Sequence, residues 1–432
     1  MRRFLLYALY ALTMIVGWTG FTVLQTLNGW NRSPIAPEND PSAFMQAARD
    51  NLTETTVANA FIVLIEDGAV SKNLTYSIGA PISEKSVFQI ASLSKWVTAA
   101  GVMALASDGL IDLDAPVSTY LKSWSLPPSR YDEKDVTIRR LLSHTAGLTD
   151  GLGYLGFSDA DHRQSPAESL TRATDAMPGV SGRVELGMPP GERFIYSGGG
   201  YTLLQLMIED VSGLAFDQYM REQVLLPLGM TDSEFEPEDE LLRRLVTSYD
   251  ERGQPAPTHH FTALAAASLY TTPRDMTIFV LAHLNRSGLR SGDEILLWPD
   301  DLSEMRSPHA NVLGREVYGL GTLLSAKTES GDFIFGHDGR NNPAISTAVR
   351  INPDTSDAII ILSTGDPVFA AELASEWTYW QVGRPDVSEL NSRLRPSTLR
   401  AAKQAIFACL LFTLIWFTGR IWHHHSARSE KN

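Results

Sequence analysis

Apolar residues are distributed along this chain in three regimes. Residues 4–27, FLLYALYALTMIVGWTGFTVLQTL, carry no charge and follow Arg2 and Arg3. A bilayer-spanning helix needs about 20 apolar residues, so the run predicts one. Its length and the absence of a clear small-x-small cleavage site favour an uncleaved anchor over a removed leader. A second run, 401–422, has an uncharged centre between Lys403 and Arg420, with Trp416 and Trp422 placed as interfacial residues would be. It predicts a second span, its basic flanks snorkelling to the interface. Arg2 and Arg3 would orient the first helix with the N-terminus inside, the body outside and the 423–432 tail back inside.

Pro-, Asn-, Asp- and Ser-rich stretches at 28–42 and 384–400 read as linkers. They bracket an expected folded domain at 43–383. Two strand-like runs, 58–68 and 72–80, meet at the Asp67-Gly68 turn. A helix is expected from about Ser92, with Val97, Val102, Leu105 and Leu110 at near-helical spacing. Helix and loop patterns then dominate (136–148, 198–213, 216–230, 273–285). Strand patterns return at 331–339, 344–354 and 357–366, and an amphipathic helix follows at 368–380. Strands at both ends with helices between them predict an α/β (α+β) domain. One antiparallel sheet would be built from the two ends, with flanking helices and an inserted helical lobe. A ligand crevice is expected between the lobes, with residues 149–166 lining or covering it.

Composition narrows the function. The chain has 432 residues, 44% of them hydrophobic, and a formal net charge of −14. That is globular, and it excludes a nucleic-acid surface, which would need clustered Lys and Arg. The single cysteine, Cys409, excludes an internal disulfide or thiolate metal site in the body. The triple histidine from His423 stands without acidic or thiol neighbours and reads as a solvated tail. No metal or cofactor is implied.

The chemistry starts at FQIASLSKWVTAA. Ser92 and Lys95 are three apart, so a helix places them on one face. A serine hydroxyl becomes a nucleophile when a neighbouring base takes its proton, and a buried lysine with a lowered pKa can be that base. A helix N-terminus would also favour an oxyanion beside Ser92. Alone, the S-x-x-K spacing leaves cap and nucleophile both open.

The surrounding blocks separate the two. VFQIASLSKWVTAAGVMALASDGLIDLDAPVSTYL resembles the active-site segment of the serine β-lactamase and penicillin-binding protein superfamily, in the branch of class C β-lactamases, DD-peptidases and esterases. TIRRLLSHTAGL, PPGERFIYSGGGYTLLQLMIEDVSG, ASLYTTPRDM, YGLG and FGHDG follow in that family's order, so the resemblance runs from about residue 61 to 366. It implies a β-lactamase-like fold in which Ser92 becomes acylated and Lys95 helps take its proton. Tyr196, at the family's Y-x-N tyrosine, would share a proton with Lys95, relay it to the leaving group and later activate water. His337 falls where the family has the K-T-G or H-T-G strand, to hold a substrate polar group or support Tyr196. The residues after it, Gly339 and Arg340, would bring the Arg340 N–H to an oxyanion hole shared with the Ser92 N–H. His144 would fix a loop, and Asp338 would point to the opposite face of its strand.

Three positions depart from the family. Gly198 replaces the asparagine of Y-x-N, removing an amide that would bond a substrate amide and the lysine. His337 replaces lysine, and Ala267-Ser268 stand where paired glycines are common. The expectation is therefore a serine hydrolase held at a bacterial inner membrane with its catalytic domain outside. It would cleave an ester or peptide amide, with esterase or peptidase activity preferred over efficient β-lactamase activity. The competing class is a weak or inactive relative that binds or senses ligands at the membrane surface. Such a chain would have only short cytoplasmic ends for output, and no protein partner is identified by the sequence.

Overall fold

A computed structural model describes residues 2–30, 32–151, 153–250, 252–284, 288–291, 294–341, 345–388, 398–411 and 413. The chain divides into two units, Pro34–Val382 and a terminal unit of Met1–Ser33 with Gly383–Asn432.

Strand β1 (Asn59–Glu66) turns into β2 (Ala69–Ser77), and the chain then leaves the sheet for more than 200 residues. It returns as β3 (Ala310–Val312), β4 (Arg315–Tyr318), β5 (Leu323–Lys327), β6 (Phe333–Asn341), β7 (Ile345–Asn352) and β8 (Asp357–Thr364). The sheet order is β2-β1-β8-β7-β6-β5-β4-β3, with every neighbour pair antiparallel. Thus β1 pairs with the last strand, Asn59 opposite Thr364 and Ile65 opposite Ala358. The sheet is built from both ends of the domain, as the strand patterns predict. The short strands β3, β4 and β5 escape those patterns because each is only three to five residues long and they adjoin Gly- and Ser-containing turns.

Both faces of the central strands are covered, which is why β1 and β8 are apolar almost throughout. Ile62 and Leu64 of β1 and Ile359 and Ile361 of β8 pack with helix α1 (Pro41–Glu54) through Phe44, Ala48 and Leu52. The C-terminal helix of the domain, Phe369–Val382, adds Phe369, Leu373 and Trp377 to that layer. Helix α1 begins inside the stretch expected as a 28–42 linker. Asp40 caps it by accepting from the Ala43 N–H at 2.9 Å, and Pro41 occupies its first turn, where a missing N–H costs nothing.

The alternate residues Phe61, Val63, Ile65, Ile360 and Leu362 face the second layer. There lie α2 (Ser94–Ser107), α3 (Gly198–Ser212), α4 (Leu264–Ala267) and α5 (Pro273–Leu284). Trp96 of α2 is fully buried against Phe279 and His283 of α5 and Phe335 of β6. This is a mixed α/β fold with its helical lobe inserted between β2 and β3.

In the terminal unit a helix runs over Arg2–Asn28, and Cys409 Sγ of the C-terminal segment lies 3.9 Å from the Ala11 carbonyl oxygen. Among the described residues, however, no helix is long and apolar enough to cross a membrane, so the two predicted spans gain no support. From Leu9 onward the run is diluted by Gly17, Trp18, Gly20, Gln25 and four threonines, of which Thr13, Thr22 and Thr26 bond back to carbonyls four residues earlier. The side chains of residues 2–8, and residues 412 and 414–422 of the second predicted span, lie outside the described residues.

Trp377→Ala removes a fully buried ring from the α1 layer, so a loss of about 3–5 kcal/mol is expected in urea unfolding. A loss below about 1 kcal/mol would contradict this packing.

Candidate active site

Ser92 sits in a 3-10 turn, Ala91–Leu93, that leads directly into α2. The residue before it, Ala91, is buried with φ of +48°, a left-handed conformation that costs a non-glycine residue roughly 1–3 kcal/mol. Neighbours hold the turn in place. Ser94 Oγ donates to the Ala91 carbonyl at 2.6 Å and accepts from the Leu269 N–H at 3.0 Å, while Thr347 Oγ1 on β7 donates to the Ile90 carbonyl at 2.9 Å.

Strand β6 meets the same turn. A Cβ on Gly339 would lie 2.0 Å from the Ile90 oxygen and 2.3 Å from Thr347 Oγ1, so only glycine lets the strand approach the nucleophile turn this closely. Gly339 and the exposed Arg340 therefore run beside Ser92, on the part of β6 that extends past the last residue paired with β5.

Lys95 is buried one turn beyond Ser92. Its Nζ donates to Ser92 Oγ at 3.2 Å and to the Ala266 carbonyl of α4 at 2.7 Å. Burial lowers its pKa to about 7, against an opposing pull from Asp150. Thr98, one turn further along α2, donates to the Ala265 carbonyl at 3.0 Å, so α2 fixes α4 at two successive carbonyls.

Tyr196 stands at the same serine, close enough for the Ser92 side chain to act on its phenol. Lys95 Nζ lies 5.0 Å from the centre of its ring. Burial nevertheless raises the Tyr196 pKa, with the Ser92 side chain opposing it. At neutral pH Tyr196 holds its proton, and Lys95 is the group able to accept one.

His337 is buried on β6, but it does not support Tyr196 by a direct bond. Its Nδ1 lies 2.6 Å from the Asp338 carbonyl and its Nε2 2.8 Å from Tyr318 Oη. A carbonyl only accepts, so Nδ1 carries the proton and Nε2 accepts from the tyrosine. Burial, with Lys95 adding to it, lowers the His337 pKa to about 3, so the ring is neutral throughout the physiological range. Asp338 turns the other way, into a bidentate pair with the fully buried Arg350 at 2.6 and 3.1 Å.

The entrance to α3 was only partly legible. His144, with φ of +58°, accepts the Ser197 N–H on Nδ1 at 3.1 Å and packs its ring 4.2 Å from that of Tyr196, fixing the loop as expected. Asp150 was not anticipated. Its buried carboxylate accepts from Ser197 Oγ at 2.5 Å and from the Gly199 N–H at 2.9 Å, and Ser197 Oγ in turn accepts the Gly200 N–H at 2.8 Å. Burial pushes the Asp150 pKa up while these bonds and Lys95 draw it down. Asp150 is a positioning residue, setting the first turn of α3 just beyond Tyr196. A lone Asp in a glycine-rich loop carries no periodic signal. Tyr318 lies in the YGLG block, but its partnership with His337 spans 19 residues and is invisible to local spacing. Gly198, the first residue of α3, presents no side chain to the site.

Among the described residues no group of three or more His, Cys, Asp or Glu is placed to hold a metal.

A serine nucleophile paired with a desolvated lysine and a phenol is the machinery of an acyl-transfer hydrolase. The family model for Beta-lactamase matches residues 44–378, and the chain belongs to that family of serine hydrolases. Penicillin-binding protein 4* of Bacillus subtilis (strain 168) is 28% identical over 194 residues, 44% of this chain, and the match spans only 40% of that protein. The D-alanyl-D-alanine-carboxypeptidase/endopeptidase AmpH of Escherichia coli (strain K12) is 25% identical over 295 residues, 64% of this chain and 71% of the relative. The octameric penicillin-binding protein homologue from Pyrococcus abyssi superposes with a TM-score of 0.65 at 24% identity, covering 80% of this chain and 78% of that one, and bears on the fold alone.

Acylation needs Lys95 as the free amine, so its rate should rise with pH through a midpoint near 7 and level off above it. His337 and His144 stay neutral across that range and add no limb. Asp150→Asn removes a charge that favours the ammonium and should move the midpoint to lower pH. Labelling rates of Ser92 between pH 5 and 9 test this; a flat profile, or a midpoint that moves upward in the variant, would contradict it.

Proposed function

We propose that this chain hydrolyses an ester or a peptide amide through an acyl-enzyme on Ser92. The observation that carries the reading is Lys95 Nζ, 3.2 Å from Ser92 Oγ, with a pKa lowered to about 7 by burial. The hydroxyl proton passes to the Lys95 amine as Ser92 Oγ attacks the carbonyl carbon. The negative charge developing on oxygen is received by the backbone N–H groups of Ser92 and Arg340. Tyr196, a neutral phenol on the same serine, delivers a proton to the leaving alcohol or amine as the bond to it breaks. Water then attacks the ester carbonyl of the acyl-enzyme, giving a proton to the Tyr196 oxygen, while Lys95 returns its proton to Ser92 Oγ as the acyl–oxygen bond breaks, releasing the acid and regenerating Ser92 and the free amine. His337 shapes this site as a neutral strut bound to Tyr318, so it brings no cation to the place where the K-T-G strand has lysine. That, with Gly198, supports an esterase or peptidase preference over efficient lactam hydrolysis. A peptide reading also draws support from the relative named as a carboxypeptidase/endopeptidase.

The reading extends to location. Leu9, Leu12, Val16 and Leu24 of the N-terminal helix and Phe407 and Leu410 of the C-terminal segment leave about half or more of their surfaces exposed. Apolar groups in that number call for cover, and we infer a bilayer, with the catalytic unit outside the cytoplasmic membrane.

Intact-mass measurement after a fluorophosphonate, and separately a penicillin, should show an adduct on the wild type and none on Ser92→Ala. An adduct persisting in Ser92→Ala would sink the mechanism, and no adduct on the wild type would favour a ligand-binding role. In membrane fractionation the full chain should resist carbonate extraction, and a chain of residues 34–382 should be released; extraction of both would remove the anchoring role.

A further inference from the structure

The residue that opens α3 has its side-chain space taken by another part of the chain. A Cβ on Gly198 would lie 2.8 Å from Tyr154 Cε2, 3.4 Å from Cδ2 and 3.6 Å from Cζ. Real Cβ atoms do not approach a ring so closely, so any side chain at 198 would have to displace it. Tyr154 is well held. Its hydroxyl lies 3.4 Å from Thr202 Oγ1, one turn along α3 from Gly198. The chain beside it is tied by the Leu155 N–H to the Asp175 carbonyl at 2.8 Å and by an isolated bridge from Tyr154 to Ala176. Burial raises the phenol's pKa, so the group is neutral.

We propose that Tyr154 is a specificity-determining residue, its ring standing in for the side chain that Gly198 lacks and forming an apolar wall two residues beyond Tyr196. The inference rests on the acyl-transfer reading of Ser92. Such a wall offers area to an apolar acyl group but no partner to an amide, whose buried N–H or C=O would then go unpaired. The substrate class it favours is an ester of an apolar acyl group, and amide-bearing acyl groups are disfavoured. The tyrosine comes from the 149–166 loop and the glycine from a helix, so substrate choice is set by a pair distant in sequence.

The test is a double-mutant cycle in the full chain with Tyr154→Ala, Gly198→Asn and the double variant, with Gly198→Ala as a milder probe that adds only the Cβ. Two readouts are taken: the thermal unfolding midpoint, and the ratio of Ser92 acylation rates by benzylpenicillin and by p-nitrophenyl butyrate. The proposal expects either substitution at 198 to lower the midpoint in the wild-type background and to do so less with Tyr154→Ala. It also expects the double variant to raise the penicillin-to-ester ratio at least about tenfold, the scale of one hydrogen bond. An equal stability loss in both backgrounds would show that the ring does not occupy the space. A stability coupling with an unchanged ratio would leave Tyr154 as packing only and overturn its role in specificity. Fluorophosphonate labelling of the wild type reports separately on Ser92. If it fails, the acyl-transfer reading falls, while the stability cycle still reads the contact.

Discussion

The site depends on the desolvation of one amine. Lys95 is sealed beneath the nucleophile turn, with Ser92 Oγ and the Ala266 carbonyl as its hydrogen-bond acceptors. Water would hold it as an ammonium; the interior brings its pKa to about 7 and makes a base of it. This has a thermodynamic cost. The unfolded chain takes up the proton below about 10.5, the folded one only below about 7, so the Lys95 contribution to stability improves as pH rises through that window and is constant below it. The helices around Lys95 must be stable enough to bear that cost, and the fully buried Trp96 beside it, packed on Phe279 and Phe335, is part of what bears it.

The second constraint is the approach of sheet to helix. The Ile90 carbonyl faces Gly339 and accepts from Thr347, so the turn that presents Ser92 is fastened to the sheet as well as to Ser94 and Leu269 of its own lobe. Ser92 and Lys95 come from one lobe and Gly339 and Arg340 from the other. The left-handed Ala91 is tolerated because that fastening leaves the turn no relaxed alternative.

What the sequence shows follows from the range of each interaction. The S-x-x-K pair is one helical turn, and the continuous apolar runs of β1 and β8 follow from burial on both faces, so these can be read locally. Asp150, Tyr154 and Tyr318 act through partners tens of residues away or from glycine-rich loops, where no periodicity marks them. His337 is the instructive case: its place in the strand was legible, yet its partner, Tyr318, and its neutrality come from tertiary burial. At the N-terminus the absence of charge was legible, and among the described residues no helix is long and apolar enough to cross a membrane.

Pairing the first strand with the last also sets a schedule. Asn59 meets Thr364, so the central seam of the sheet cannot close until some 300 further residues have been made. At about 5–20 residues per second that is roughly 15–60 s of synthesis during which β1 has only β2 beside it. Folding is thus postponed by topology until nearly the whole domain has emerged. A chain so delayed carries the open edge of an apolar strand through most of its own synthesis.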